Sequence, residues 1–200
     1  MHDGTRSEDY AARLEAAQTA RWKRRLNVQA PFRWNLRRLQ LGLTLDVGCG
    51  VGRNLEALEG VGVDHNPTSV ASARRRGLTA FTPDEFAASG YATPGRFDSL
   101  LLAHVVEHMT GPEAYDLVGT YLPYVRPSGR VVLIAPQEAG FRSDDTHIEF
   151  MDDAALRGLL VGHGLDVVRE YSFPFRRGAG RLFRYNEFVA VGQLGQGAGR

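Results

Sequence analysis

Asp46, Gly48, Gly50 and Gly52 form an acid-x-Gly-x-Gly-x-Gly run at the end of the apolar stretch Leu43–Val47. Closely spaced glycines let the main chain turn tightly and approach a ligand with no Cβ in the way. A helix following such a turn adds unpaired amides and the positive end of its dipole. That chemistry suits a nucleotide-bearing molecule, and spacing decides which kind. The pattern G-x-G-x-x-G fails in both frames, because Arg53 or Leu55 stands at the third glycine position. The phosphate loop G-x-x-x-x-G-K-[ST] fails too, since the only lysine is Lys23. Cys49, inside the turn, reads as a small packing residue and not as a nucleophile.

Two further groups carry reactive side chains. His104-Val105-Val106-Glu107-His108 matches the metalloprotease spacing H-x-x-E-H. On a helix it would place both histidines on one face, with Glu107 beside them as a general base. The stretch follows a buried-strand pattern and no third ligand is evident, so no metal site is expected. Farther on, the loop 136–150 contains His147, with Glu149 two residues away. His147 is the first candidate for a substrate contact or proton acceptor; the bland alternative is a polar loop leading to a helix capped by Asp152 or Asp153.

These residues need a frame. Short apolar runs at Leu43–Val47, Val61–Val63, Leu78–Phe81, Phe97–Ala103, Arg130–Ala135, Leu165–Tyr171 and Tyr185–Val191 alternate with helix-like segments. The latter span Arg53–Glu59, Pro67–Arg76, Pro112–Val125 and Asp152–Gly162. Alternation at these intervals predicts an α/β domain with a mostly parallel sheet covered on both faces. In such sheets ligands bind beyond the carboxyl ends of the strands, where the glycine turn and the His147 loop both fall.

Ahead of the first strand, the stretch Arg21–Arg38 has seven basic residues and no acid, interleaved with Trp22, Leu26, Phe32, Trp34 and Leu36. It predicts amphipathic helices interrupted at Pro31, with tryptophans in the core and arginines in water. Residues 1–40 form an N-terminal helical appendage, 41–192 the main domain, and 193–200 a flexible tail. A second basic group, Arg176, Arg177, Arg181 and Arg184, precedes the last strand. If both groups face the cleft, the substrate is anionic.

Composition narrows the classes. Among 200 residues, 43% are hydrophobic and 24% charged, with a net charge of +1, which fits one globular domain and makes nucleic acid or an anionic membrane an unlikely partner. One cysteine excludes an internal disulfide framework and any multi-cysteine zinc site. No apolar run reaches the length of a membrane span, and the charged start MHDGTRSEDY lacks the apolar core of a signal peptide, so the cytoplasm is the expected compartment.

Taken as an ordered series, these stretches resemble the class I S-adenosylmethionine-dependent methyltransferases, particularly small bacterial ones related to ubiquinone/menaquinone-type and MetW-like enzymes. LDVGCGVGRN is similar to their glycine motif, and Gly62-Val63-Asp64-His65-Asn66 to the end of their second strand. The stretch Phe97–His108 is similar to their fourth strand and its "LEH" turn, and Leu122–Arg130 to the "L-x-P-G-G" approach to strand five, with Ser128 for the first glycine. The resemblance implies a Rossmann-like sheet of seven strands, the last antiparallel. It also implies that Asp46, Gly48, Gly50, Gly52, Asp64, His65, Asp84, Ala103 and His104 surround S-adenosylmethionine. Asp64 would take the ribose hydroxyls and Asp84 the adenine amino group.

The implied activity is methyl transfer by in-line displacement to an oxygen, nitrogen or carbon nucleophile of a small-molecule acceptor. The N/D-P-P-Y/F stretch of enzymes that methylate DNA-base amines is absent, since Ala103-His104-Val105-Val106 stands there. Tyr10, Trp22 or Phe32 would supply an aromatic lid over the sulfonium. The alternative is a non-catalytic S-adenosylmethionine-binding or regulatory module of the same fold.

Overall fold

The computed structural model of the protein describes residues 29–195. Seven strands form one sheet: β1 (Thr44–Val47), β2 (Gly60–Val63), β3 (Ala80–Phe81), β4 (Phe97–Ala103), β5 (Val125–Pro136), β6 (Leu165–Phe173) and β7 (Glu187–Leu194). Their order is β3-β2-β1-β4-β5-β7-β6. The first five run parallel, and β7 lies antiparallel to both β5 and β6. The sheet is therefore Rossmann-like and mostly parallel.

Both faces are buried, and the period of two in the strands shows how. Leu100 and Leu102 of β4, with Val131, Leu133 and Ala135 of β5, enter one cluster. Helices α4 (Gly111–Tyr121) and α6 (Asp153–Gly162) cover it through Ala114, Val118, Leu156 and Leu160. Leu101, Ala103, Val132 and Ile134 point the other way, against Leu36 and Leu39 at the end of α1 (Ala30–Arg38). Alternate residues feed two cores, which is why these strands read as continuous apolar runs.

Local chemistry sets the helix starts. α2 (Pro67–Arg75) begins with the Asn66 side chain accepting from the Thr68 and Ser69 amides, and α3 (Pro83–Ala87) with a Thr82–Glu85 capping box. Thr110 and Glu113 form the same box at α4, and Asp152 caps α6 by accepting from Ala155 N–H. The short α5 (Glu138–Phe141) follows β5 directly.

Four expectations require correction. Arg53–Glu59 is not a helix: residues 51–57 are successive turns, with Ala57 N–H donating to Asn54 and Leu58 N–H to Leu55. Leu55 packs in the α2 cluster while Leu58 packs against the α1 face, and tight turns serve both. Pro31 does not interrupt a helix but sits in the first turn of α1, where its missing N–H costs nothing. Trp34 is 54% exposed, with the Arg38 guanidinium 4.9 Å over its ring. β7 runs to Leu194, two residues into the segment expected to be tail.

The part of the expected appendage that is described is joined to the sheet. Arg130 donates to the Leu39 carbonyl, and Ser99 Oγ to that of Leu41. Tyr10 and Trp22 lie outside the described residues. Among the described residues, no helix is long and apolar enough to cross a membrane.

Candidate active site

A cleft of about 390 Å³ opens at the carboxyl ends of β1, β2, β4 and β5, lined there by Val47 and Gly48, Val63 and Asp64, Ala103 and His104, and Pro136. Its size lies within the ordinary range for small-molecule sites, about 300–1,000 Å³. Gly48, Gly50 and Gly52 all have positive φ. At Gly48 an added Cβ would collide with Val105, so the bare backbone lets the turn after β1 pack against the turn after β4. Gly52 does not line the cleft; a Cβ there would meet Leu78, so this glycine serves the packing of the turn on the far side.

Asp64, at the end of β2, latches the glycine turn. One carboxylate oxygen accepts from Gly50 N–H at 2.7 Å and the other from Asn66 N–H at 2.8 Å. Each oxygen keeps a further lone pair, and the residue faces the cleft. Beside it, His65 lines the cleft with a buried Nε2 that has no hydrogen-bond partner among the described residues. Asp84 is exposed on α3 and outside the cleft lining, whereas its neighbour Pro83 is part of that lining.

Asp46 is fully buried behind the turn, and neither carboxylate oxygen accepts a hydrogen bond among the described residues. Burial pushes its carboxyl up to about 7, against the opposing pull of Asn54 and Arg53. The folded protein thus holds a proton that the unfolded chain releases above the ordinary value of 3.8. Stability from this group is full below that value and is lost as pH rises toward and through about 7. The free-energy equivalent of that displacement is on the order of 4 kcal/mol. Asp46→Asn should therefore flatten the decline in melting temperature between pH 5 and pH 8. A parallel decline in wild type and variant would contradict this assignment.

Cys49 lines the cleft, and burial pushes its thiol up, reinforced by Asp46 and Asp64, so it stays protonated and unreactive.

On the opposite wall, β4 ends where His104 adopts φ +61°, a left-handed conformation that histidine tolerates better than most residues. Its Nε2 lies 2.7 Å from Glu187 Oε1 and its Nδ1 3.3 Å from Glu107 Oε1. Burial lowers the imidazole's pKa, but Glu187 and Glu107 together outweigh that and raise it to about 9. Stabilisation from this charge is full below 6.5 and lost as pH rises through about 9. The His104 ring resonances should titrate near 9 by NMR; a midpoint near 6.5 would show that the two carboxylates do not hold it.

The turn that follows β4 contains a single 3₁₀ turn, Val106–His108, so His104 and His108 do not form the pair on one helical face that the H-x-x-E-H reading would need. His108 instead meets His147, their ring centroids 4.8 Å apart, with Glu107 fully buried beside them. His147 donates from Nδ1 to the Phe141 carbonyl at 2.7 Å and lines the cleft with His108. Glu149 points elsewhere, accepting from Gly111 N–H at 2.7 Å.

Several lining residues escaped sequence reasoning: Arg53, Asn54, Tyr121, Ser143, Asp144, Tyr185 and Glu187. Glu187 had a signal, an isolated acid opening an otherwise apolar strand. Phe32 and Arg184 line the cleft too, whereas Arg177 is committed to Glu138 through two hydrogen bonds of 2.8 and 2.6 Å.

Residues 45–133 match a family described as a methyltransferase domain. No curated protein matches the chain. Among solved structures, an S-adenosylmethionine-dependent methyltransferase from Archaeoglobus fulgidus is 18% identical, with a TM-score of 0.65 over 81% of this chain and 92% of that one. Magnesium protoporphyrin IX methyltransferase from Synechocystis PCC 6803, solved with bound S-adenosylmethionine, is 16% identical, with a TM-score of 0.62 over 97% and 98% of the two chains. A putative methyltransferase from Haloferax volcanii, in complex with the Trm112 activator, is 14% identical, with a TM-score of 0.68 over 94% and 99%. At these identities the likeness is one of fold. The matched segment, the strand order and the glycine cleft together give the chain the fold of S-adenosylmethionine-dependent methyltransferases, with a methyltransferase-domain match over residues 45–133.

Proposed function

We propose that the cleft binds S-adenosylmethionine across the glycine turn and delivers its methyl group to a nucleophile of a small, anionic acceptor held between His147 and Arg184. The observation that carries this reading is the Asp64 carboxylate, latched to Gly50 N–H at 2.7 Å on the lip of a cleft that glycines keep open. The donor fits these residues. Gly48 and Gly50 leave main chain exposed to its methionine part, and Asp64 retains lone pairs for two ribose hydroxyls. The unpartnered Nε2 of His65 offers a further polar contact. Asp46 acts from behind the turn, and Asp84, being exposed, meets the adenine only at the cleft's outer edge.

When bound, the sulfonium supplies an activated methyl carbon. The chain's part is alignment: holding the acceptor's nucleophile in line behind that carbon contributes on the order of 7–11 kcal/mol. A general base adds about 10²–10⁴-fold, so activity does not require one. Phe32 at the cleft mouth excludes water and offers its ring to the positive sulfur. Arg53 and Arg184 on the lining favour an anionic acceptor. The resemblance to ubiquinone/menaquinone-type and MetW-like enzymes, a single catalytic domain from residue 41 to the end of β7 at Leu194, and a cytoplasmic setting belong to the same proposal.

Calorimetry with S-adenosylhomocysteine tests donor binding, and labelled S-adenosylmethionine incubated with protein and cell extract tests transfer. Binding without transfer to any acceptor would establish the binding module instead. Arg184→Ala should raise the acceptor's KM by about tenfold with donor affinity unchanged, as expected for a lost charged hydrogen bond. An unaltered KM would count against an anionic acceptor.

A further inference from the structure

We infer that Glu107, His108 and His147 form a divalent transition-metal site at the acceptor end of the cleft. One ligand atom from each of the three lies within 4.8 Å of the others. Glu107 is fully buried, yet neither of its carboxylate oxygens accepts a hydrogen bond among the described residues. A buried carboxylate in that condition is costly unless a cation or donor meets it.

The two histidines are set for the purpose. His147 Nδ1 lies 2.7 Å from the Phe141 carbonyl and His108 Nδ1 3.2 Å from that of Thr146, so each Nδ1 carries the proton and each Nε2 keeps its lone pair. This is the outer-shell arrangement that orients metal-ligating imidazoles. His147 Nε2 lies 4.0 Å from Glu107 Oε1, a separation too long for a hydrogen bond but wide enough for an ion between them. His104 Nδ1, 3.3 Å from Glu107 Oε1, offsets part of the carboxylate's burial, yet neither oxygen accepts a hydrogen bond among the described residues, and the side of Glu107 facing His147 is left for a further cation.

Two nitrogens and one carboxylate, with His108 and His147 lining the cleft, leave coordination positions open toward it. That donor set suits Zn²⁺, Co²⁺ or Fe²⁺ better than Mg²⁺ or Ca²⁺. An ion there would hold an oxygen of the acceptor, a consequence that rests on the methyl-transfer reading above.

The test uses the full chain, stripped with a chelator and titrated with Co²⁺ while visible absorption is followed. One Co²⁺ per chain should bind and be displaced by Zn²⁺. His147→Asn and His108→Asn should each weaken binding at least tenfold, with His163→Asn, on the remote Tyr115 stack, as the unaffected control. Circular dichroism confirms that each variant is folded. No uptake by the stripped protein, or uptake undiminished in His147→Asn, would overturn the site. S-adenosylhomocysteine affinity measured on the same stripped protein separates the two readings. Retained affinity without Co²⁺ uptake defeats the metal site alone, and Co²⁺ uptake without nucleoside binding defeats the donor assignment alone.

Discussion

Gly50→Val is expected to abolish S-adenosylmethionine binding, by at least about 100-fold, while leaving the sheet intact. Gly50 has φ +54°. A left-handed backbone costs an ordinary residue roughly 1–2 kcal/mol, and a β-branched one is a true outlier there. The turn would respond by swinging its main chain, and with it the Gly50 N–H that Asp64 holds. Any side chain that did fit would project from the cleft lining, where the proposal seats the donor. A penalty near 3 kcal/mol already exceeds 100-fold in affinity. The strands should persist, because Gly50 lies in the turn beyond β1 and contributes nothing to the sheet's ladders. Calorimetry with S-adenosylhomocysteine and a thermal melt by circular dichroism read the two effects separately. Affinity within tenfold of wild type would remove the glycine turn from the binding site.

Asp64→Ala should weaken the same ligand by about 10–100-fold. Hydrogen bonds lost to a buried ligand account for roughly 1–3 kcal/mol. The variant also frees two main-chain N–H groups, those of Gly50 and Asn66, which the carboxylate now holds at 2.7 and 2.8 Å. Part of the loss is therefore indirect, through a loosened turn. Asp64→Asn divides the two contributions: its amide oxygen can still hold one N–H but cannot serve both turn amides and the sugar. Its affinity should fall between wild type and alanine. Equal affinity in all three proteins would sink the ribose role.

Much of the frame is readable from periodicity alone. β4 is legible at its observed bounds because a strand buried on both faces must be apolar at every position, and Phe97–Ala103 nearly is. The capped helices are legible for a similar reason, since Pro67 and Asp152 are local signals with local causes. Arg53–Glu59 misleads because its residues suit a helix while the two cores they serve pull Leu55 and Leu58 apart. The site is readable only in part. Asp64 and the glycine turn stand within one strand-turn-strand unit, whereas His104 meets Glu187 across 83 positions and His108 meets Thr146 across 38. Spacing along the chain carries no record of such meetings. The H-x-x-E-H pattern misleads for the same reason: His108 and Glu107 find their companion in His147, on another loop.

β7, last of the seven strands among the described residues, sits between β5 and β6 and not at a margin of the sheet. During synthesis, therefore, β5 and β6 leave the ribosome before the only segment that can join them, and β5 presents an open, apolar edge meanwhile. Closure must wait for Glu187–Leu194. A nascent chain paused before Glu187 would be the species most prone to aggregate, and the one on which a chaperone has the most to do.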